Sequence, residues 1–154
     1  MDEGLNIYTD GGCSGNPGPG GWAYVMVTHT FQSAQITAKD KGFVKDTTNN
    51  KMELTAVIMA LRALKKMTSA PGQTTIFTDS QYVQKGITEW IHGWKRNSWK
   101  TSDKKPVKNK DLWTELDELA AELPIKWKWV KGHAGNEFNE ICDEMTQEAI
   151  REAR

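Results

Sequence analysis

Asp10 and Asp79 each close a short run of β-branched and aromatic residues. Ile7-Tyr8-Thr9-Asp10 runs into Gly11-Gly12, and Ile76-Phe77-Thr78-Asp79 into Ser80. Such runs suit buried strands. A carboxylate at the end of one is costly to desolvate unless a cation, a donor or a metal stands beside it. Taken singly, either Asp reads as well as a turn residue. Two more acids, Glu53 and Asp143, lie beside apolar positions of helical patterns rather than on polar faces. Were the four to converge, neighbours ~5 Å apart would repel by about 3 kcal/mol at an effective dielectric of about 20. A divalent cation removes that penalty. Hard oxygen ligands select Mg²⁺ or Mn²⁺, and paired ions of this kind clamp the attacking and leaving oxygens of a phosphoryl displacement. The chemistry such a set would perform is phosphodiester hydrolysis.

Positioning these acids requires strands and helices in a definite order. The first strand passes through a turn-rich segment, Cys13-Ser14-Gly15-Asn16-Pro17-Gly18-Pro19-Gly20-Gly21, into a second apolar run from Trp22 to Val27. The glycines do not fit a GxGxxG frame and a strand-like run follows them, which argues against a dinucleotide cradle. A third strand, around Phe31 to Ala38 or Gly42 to Val44, would complete an antiparallel meander. From Asn50 to Met67 the apolar residues lie nearly all round a helix, as in a buried one. Thr48 or Asn49 can cap it, which places Glu53 in its first turn, where a negative charge suits the helix dipole. Pro71-Gly72 turns into the strand Thr75 to Asp79, a helix-sized segment from Gln81 to Trp94 follows, and strand-helix-strand implies parallel pairing in a mixed sheet. Farther on, Leu112, Leu116, Leu119 and Leu123 mark a helix whose neighbouring stripe, Asp111, Glu115, Glu118 and Glu122, reads as solvated. Ile125 to Val130 alternates as a half-exposed strand. The loop Lys131-Gly132-His133-Ala134-Gly135 then leads to a last helix burying Phe138, Ile141, Cys142, Met145 and Ala149, with Asp143 near the edge of that face.

A chain of 154 residues with 38% hydrophobic and 26% charged residues fits one soluble domain. No long apolar run or secretory signal follows the acidic Met1-Asp2-Glu3, so a cytoplasmic location and no membrane are expected. Cys13 and Cys142 make no disulfide framework, and with His29, His92 and His133 they show no zinc spacing. The formal net charge is zero, so a nucleic-acid partner must be held by a local patch. One is available. Lys95, Arg96, Lys100, Lys104, Lys105, Lys108 and Lys110 face the single acid Asp103 between residues 95 and 110, with Trp90, Trp94 and Trp99 just before and within the run. Lysines alone read as a solvated face. Interleaved with tryptophans they suit phosphate neutralisation and contact with nucleic acid. Asn109 can cap the helix after them.

Ordered motifs along nearly the whole chain resemble type 1 ribonuclease H. They are Tyr8-Thr9-Asp10-Gly11, Gly15 to Gly21, Thr48 to Leu54, Thr78 to Val83, Trp94 to Asn109, and Trp129 to Gly135 with Asn139-Glu140 and Asp143. The resemblance implies an α/β fold of the ribonuclease H type: a five-stranded mixed sheet, its first three strands antiparallel, with helices on both faces, and residues 1–154 forming one catalytic domain. It implies an endoribonuclease that hydrolyses the RNA strand of RNA/DNA hybrids, largely without regard to sequence, and leaves 5′-phosphate and 3′-hydroxyl ends. Asp10, Glu53, Asp79 and Asp143 would bind two Mg²⁺ ions, with Mn²⁺ as a substitute, and His133 would assist proton movement or product departure. Cys13, Asn16, Asn49, Asn50 and Gln81 match positions near the hybrid's minor groove. Thr48 and Asn109 match a pocket for a DNA-strand phosphate, and Tyr82, Trp90 and Ser102 match the channel along that strand. Lys95, Arg96, Trp99, Lys100, Lys104 and Lys105 belong to the basic protrusion. The interval from Asp10 to Glu53 is slightly longer than in bacterial members, the extra length falling between Thr28 and Asp46. A monomer without obligate protein partner is expected. The rival readings are a hybrid-binding module without activity, the nuclease domain of a polymerase, and a DNA-cutting relative of integrases and resolvases.

Overall fold

A computed structural model describes residues 4–67, 73–130 and 136–154. Five strands form one sheet among them: β1 (Gly4–Cys13), β2 (Gly18–His29), β3 (Ala34–Thr47), β4 (Thr74–Thr78) and β5 (Ile125–Trp129), in the spatial order β3-β2-β1-β4-β5. β1 pairs antiparallel with β2 and β2 with β3, whereas β1–β4 and β4–β5 are parallel. The expected meander and crossover are both present. Helices α1 (Asn49–Lys65), α2 (Gln81–Lys85), α3 (Ile91–Arg96), α4 (Lys110–Ala121) and α5 (Glu137–Ala153) complete the described chain.

Side-chain alternation divides the core in two. Leu5, Ile7, Trp22, Tyr24 and Met26 pack with α1 and α4 residues on one face, while Tyr8, Ala23, Val25 and Val27 pack with Cys142 of α5 on the other. Both faces of β1 and β2 are therefore covered, which explains why these strands read as continuous apolar runs.

Several expectations are corrected. β3 contains the second alternative for the third strand whole and the first from Ala34 to Ala38, with Phe31 to Ser33 in the turn before it. Its pairing with β2 shifts register between Gly18 and Gly20 and between Met26 and Val27, and each shift places an extra residue on β3, as in a β-bulge. Thr48 is the cap of α1, its Oγ1 accepting from Lys51 N–H at 3.3 Å. Glu53 lies beyond the first turn, so the helix dipole does not account for it. The stretch from Gln81 to Trp94 is not one regular helix: a π-helical turn, Gly86–Trp90, separates α2 from α3. Gly86 sits over the Trp113 ring, where a Cβ would collide with it. Asn109 occupies the N-cap position of α4 at φ 60° but makes no side-chain cap bond. Of the supposedly solvated acids, Glu115 and Glu122 form ion pairs with Arg62 and Lys65 of α1.

Candidate active site

The parallel pairing of β1 with β4 sets Tyr8 opposite Phe77 and brings the following acids, Asp10 and Asp79, to the same end of the sheet. Glu53 reaches them because α1 comes very close to β1. At Gly11 a Cβ would stand 2.6 Å from Glu53 N and collide with the Met52 carbonyl, so only glycine permits this approach. Gly11→Ala should push α1 away and cost about 2 kcal/mol of stability, with weaker Mg²⁺ binding, measured by thermal melting and calorimetry. Unchanged Mg²⁺ affinity would mean that the α1 approach does not set Glu53.

Asp10, Glu53 and Asp79 each offer a carboxylate oxygen, all within 4.8 Å of one another. Burial is the leading cause that pushes the Glu53 carboxyl well above its usual range, reinforced by the charges of Asp79 and Asp10 and by a hydrogen bond with Asp79, and a bond from the Gly11 backbone opposes it. Glu53 Oε1 is buried with no hydrogen-bond partner among the described residues. An orphaned buried oxygen beside two like charges fits a hard divalent cation, which such a donor set prefers to softer metals.

Asp143 is not within that close group, but the electrostatics tie it to the same region. The Cys142 thiol, buried between the carbonyls of Tyr8 (3.5 Å) and Ala23 (3.4 Å), is pushed well up by desolvation and then by the charges of Asp10, Glu53, Asp79 and Asp143. His133, with its loop 131–135, lies outside the described residues.

Three of the five residues matched to the minor groove, Cys13, Asn16 and Asn49, form one bonded unit. Asn49 Oδ1 accepts from Cys13 N–H at 2.8 Å, while Asn16 Oδ1 accepts from Asn49 N–H at 3.1 Å and from Cys13 Sγ at 3.7 Å. Asn50 lies in the first turn of α1, and Gln81, exposed, starts α2 beside Asp79. This unit fixes the loop after β1 to the start of α1, the helix that carries Glu53.

On the other flank, the Tyr82 hydroxyl accepts from Asn109 Nδ2 at 3.2 Å and Trp113 Nε1 at 2.9 Å. This explains why Asn109 does not cap α4: its side chain ties that helix to α2. Trp90, 39% exposed, packs edge-on to Tyr82 and against Trp94, which in turn meets Trp99. Arg96, Lys100, Ser102, Lys104 and Lys105 are exposed. Lys95 is exposed as well, but its Nζ pairs with Asp117 at 3.3 Å. Between Trp99 and Val107 the chain doubles back through a Lys100–Pro106 bridge. Ser98, Trp99, Lys104 and Asn109 are the positive-φ non-glycine residues among those described, a concentration of backbone strain that preorganises the protrusion.

Sequence reasoning did not single out Trp129 as a site residue. Its indole N–H donates to the Asp79 carbonyl at 3.1 Å and holds the turn that presents the Asp79 carboxylate. The available signal was a half-buried indole at the end of a strand, since such a group needs an acceptor.

The sequence profile of the family described as RNase H matches residues 2–151. A protein named Ribonuclease H from Treponema denticola is 51% identical over 157 residues, covering 96% of this chain and 97% of the relative. One of the same name from Maricaulis maris is 52% identical over 150 residues, covering 97% and 95%. Among solved structures, a type 1 RNase H with the type 2 active-site motif matches with a TM-score of 0.86 at 28% identity, covering 100% of this chain and 75% of the other. An RNase H1 crystallised with an RNA/DNA hybrid matches with a TM-score of 0.70 at 24% identity, covering 97% and 98%, a likeness that speaks to fold.

Proposed function

Because the chain belongs to the ribonuclease H family, and is thus a nuclease, we propose that it cuts the RNA strand of RNA/DNA hybrids using two Mg²⁺ ions, leaving 5′-phosphate and 3′-hydroxyl ends. The observation that carries this reading is the convergence of three carboxylates around an orphaned Glu53 oxygen. Asp10, Glu53 and Asp79, with Asp143 alongside, would hold the ions, which when bound stabilise charge on the phosphoryl oxygens and lower the pKa of water.

The chain's own part is positioning. Asp10 and Asp79 are presented by adjacent parallel strands and Glu53 by a helix that Gly11 admits, so the acids are fixed before substrate arrives. Their mutual repulsion keeps the cluster demanding a cation. On our reading, Cys13, Asn16, Asn49, Asn50 and Gln81 meet the minor groove, where the 2′-hydroxyls distinguish RNA from DNA. Thr48 and Asn109 hold a phosphate of the DNA strand, and Tyr82, Trp90 and Ser102 border that strand. His133 moves a proton to or from the reacting oxygens. Contacts of this kind go to sugars and phosphates and carry no base code, so cutting is spread along the strand.

Two measurements test the finer parts. Hybrids of two unrelated sequences should give dispersed cuts whose downstream fragments carry 5′-phosphates and are ligated directly; 5′-hydroxyl ends would contradict the mechanism. Neutralising Lys104 and Lys105 together should raise KM several-fold with kcat nearly unchanged and flatten the salt dependence. The reverse split would remove the protrusion from substrate binding. Lys95, already paired with Asp117, should contribute less than either.

A further inference from the structure

The far face of β4 and β5 carries a polar cavity of about 260 Å³. The strand register places Asn6, Thr75 and Lys126 side by side across three hydrogen-bonded strands, and the next row toward the acids on that face contains Phe77 and Lys128. Gln73 and His29 close the other end. Among the described residues no carboxylate lines this cavity, in a chain whose net charge is zero.

Lysines on a short edge strand ordinarily deter pairing with another sheet, and that accounts for Lys126 and Lys128 considered alone. It does not account for Asn6 and Thr75. They stand on the inner strands β1 and β4, beside the part of this face that α5 covers over β1, β2 and β3. Thr75 is 8% exposed and its hydroxyl has no hydrogen bond among the described residues, nor does the Asn6 amide. His29 Nδ1 at the rim is buried without a hydrogen-bond partner among the described residues. Phe77 stacks on Tyr8 with ring centroids 4.9 Å apart, and Lys128 Nζ lies 6.0 Å from the Phe77 centroid, so the floor is rigid and one cation is held against it.

We propose that this cavity binds a phosphate monoester. Two lysines match a dianion, the Thr75 hydroxyl and the Asn6 and Gln73 amides supply neutral donors, and charge-assisted bonds of this type are the stronger class. The volume is below the range of about 300–1,000 Å³ usual for drug-sized ligands, so it admits a phosphate with little beyond its sugar. The phosphate can belong to a free nucleotide or to the 5′ end of an oligonucleotide.

The test uses the full ¹⁵N-labelled chain in EDTA, which removes metal-dependent binding at the acids. Inorganic phosphate, 5′-AMP, and a short single-stranded RNA with either a 5′-phosphate or a 5′-hydroxyl are titrated in turn. Saturable amide shifts at Asn6, Thr75, Lys126 and Lys128 with the phosphate-bearing probes are expected. Affinity should fall at least about tenfold in a Lys126→Gln, Lys128→Gln double variant, whose exposed positions should leave the melting temperature unchanged, and should also fall in the near-isosteric Thr75→Val. 5′-AMP binding without RNA binding identifies a free-nucleotide site. Preference for 5′-phosphorylated over 5′-hydroxyl RNA identifies strand ends. Shifts confined to residues 95–110, or equal affinity in the double variant, would overturn the proposal. Hybrid cleavage by that variant should be unaltered, so this site and the proposed nuclease chemistry succeed or fail separately.

Discussion

Asp10→Asn should lower kcat on an RNA/DNA hybrid by at least about 10³-fold, the equivalent of ~4 kcal/mol of lost transition-state stabilisation. Hybrid affinity should change little. Asp10 is 6% exposed and within 4.8 Å of the Glu53 and Asp79 ligand oxygens, so the substitution removes a charge from the metal-binding group and leaves its shape. The lysine-rich protrusion and the Cys13–Asn16–Asn49 unit are untouched. Gel-shift titration in Ca²⁺ and single-turnover cleavage in Mg²⁺ separate the two quantities. A variant that binds as wild type but does not cut assigns Asp10 to the chemistry. One that retains a tenth of the rate removes Asp10 from it.

The second large effect concerns stability without metal. The carboxyl of Glu53 is raised well above the ordinary value of 4.5 by burial first and then by Asp79 and Asp10. A folded-state pKa above the unfolded one means that folding takes up protons. The associated stability is fully present below about pH 4.5 and is lost as pH rises through the raised value. Metal-free protein should therefore melt at falling temperature as pH rises above 4.5. Glu53→Gln should flatten this decline. Relief of one repulsive pair, worth about 3 kcal/mol at 4.8 Å and a dielectric of about 20, corresponds to a gain of roughly 5–10 °C at neutral pH. Mg²⁺ should raise the wild-type melting temperature and have little effect on the variant, because it binds and neutralises the folded cluster. Melting curves in EDTA and in Mg²⁺ across pH check all of this. A Glu53→Gln protein that melts below wild type in EDTA at neutral pH would show that Glu53 is held by donors rather than crowded by acids.

These expectations rest on features that differ in how legible they are from the sequence. Asp10 and Asp79 were readable because each ends an apolar strand run, and strand-helix-strand order implies the parallel pairing that unites them. Glu53 was readable as an acid beside core positions, though the reason for its placement was not. Its place near the helix start suggests the helix dipole, whereas the cause is the close approach at Gly11, a tertiary contact with no local signature. The same limit applies to Gly86, which begins the π-helical turn against the Trp113 ring, and to Asn109, whose amide bonds Tyr82 instead of capping α4. Sequence separation hides such partners: Tyr82 and Trp113 are 31 residues apart. In the basic protrusion, charge was plain from composition, but the ion pair between Lys95 and Asp117 depends on how α3 lies against α4.

The most direct test compares substrates. An RNA/DNA hybrid labelled at one end of the RNA strand is incubated with the wild-type chain in Mg²⁺ and in EDTA, beside duplex DNA and duplex RNA. RNA-strand cuts confined to the hybrid and absent in EDTA are predicted by the proposed cation site at Asp10, Glu53 and Asp79 and by the minor-groove contacts proposed for Cys13, Asn16, Asn49, Asn50 and Gln81. A folded chain that binds the hybrid yet leaves it intact in both Mg²⁺ and Mn²⁺, or that cuts duplex DNA equally well, would contradict the account.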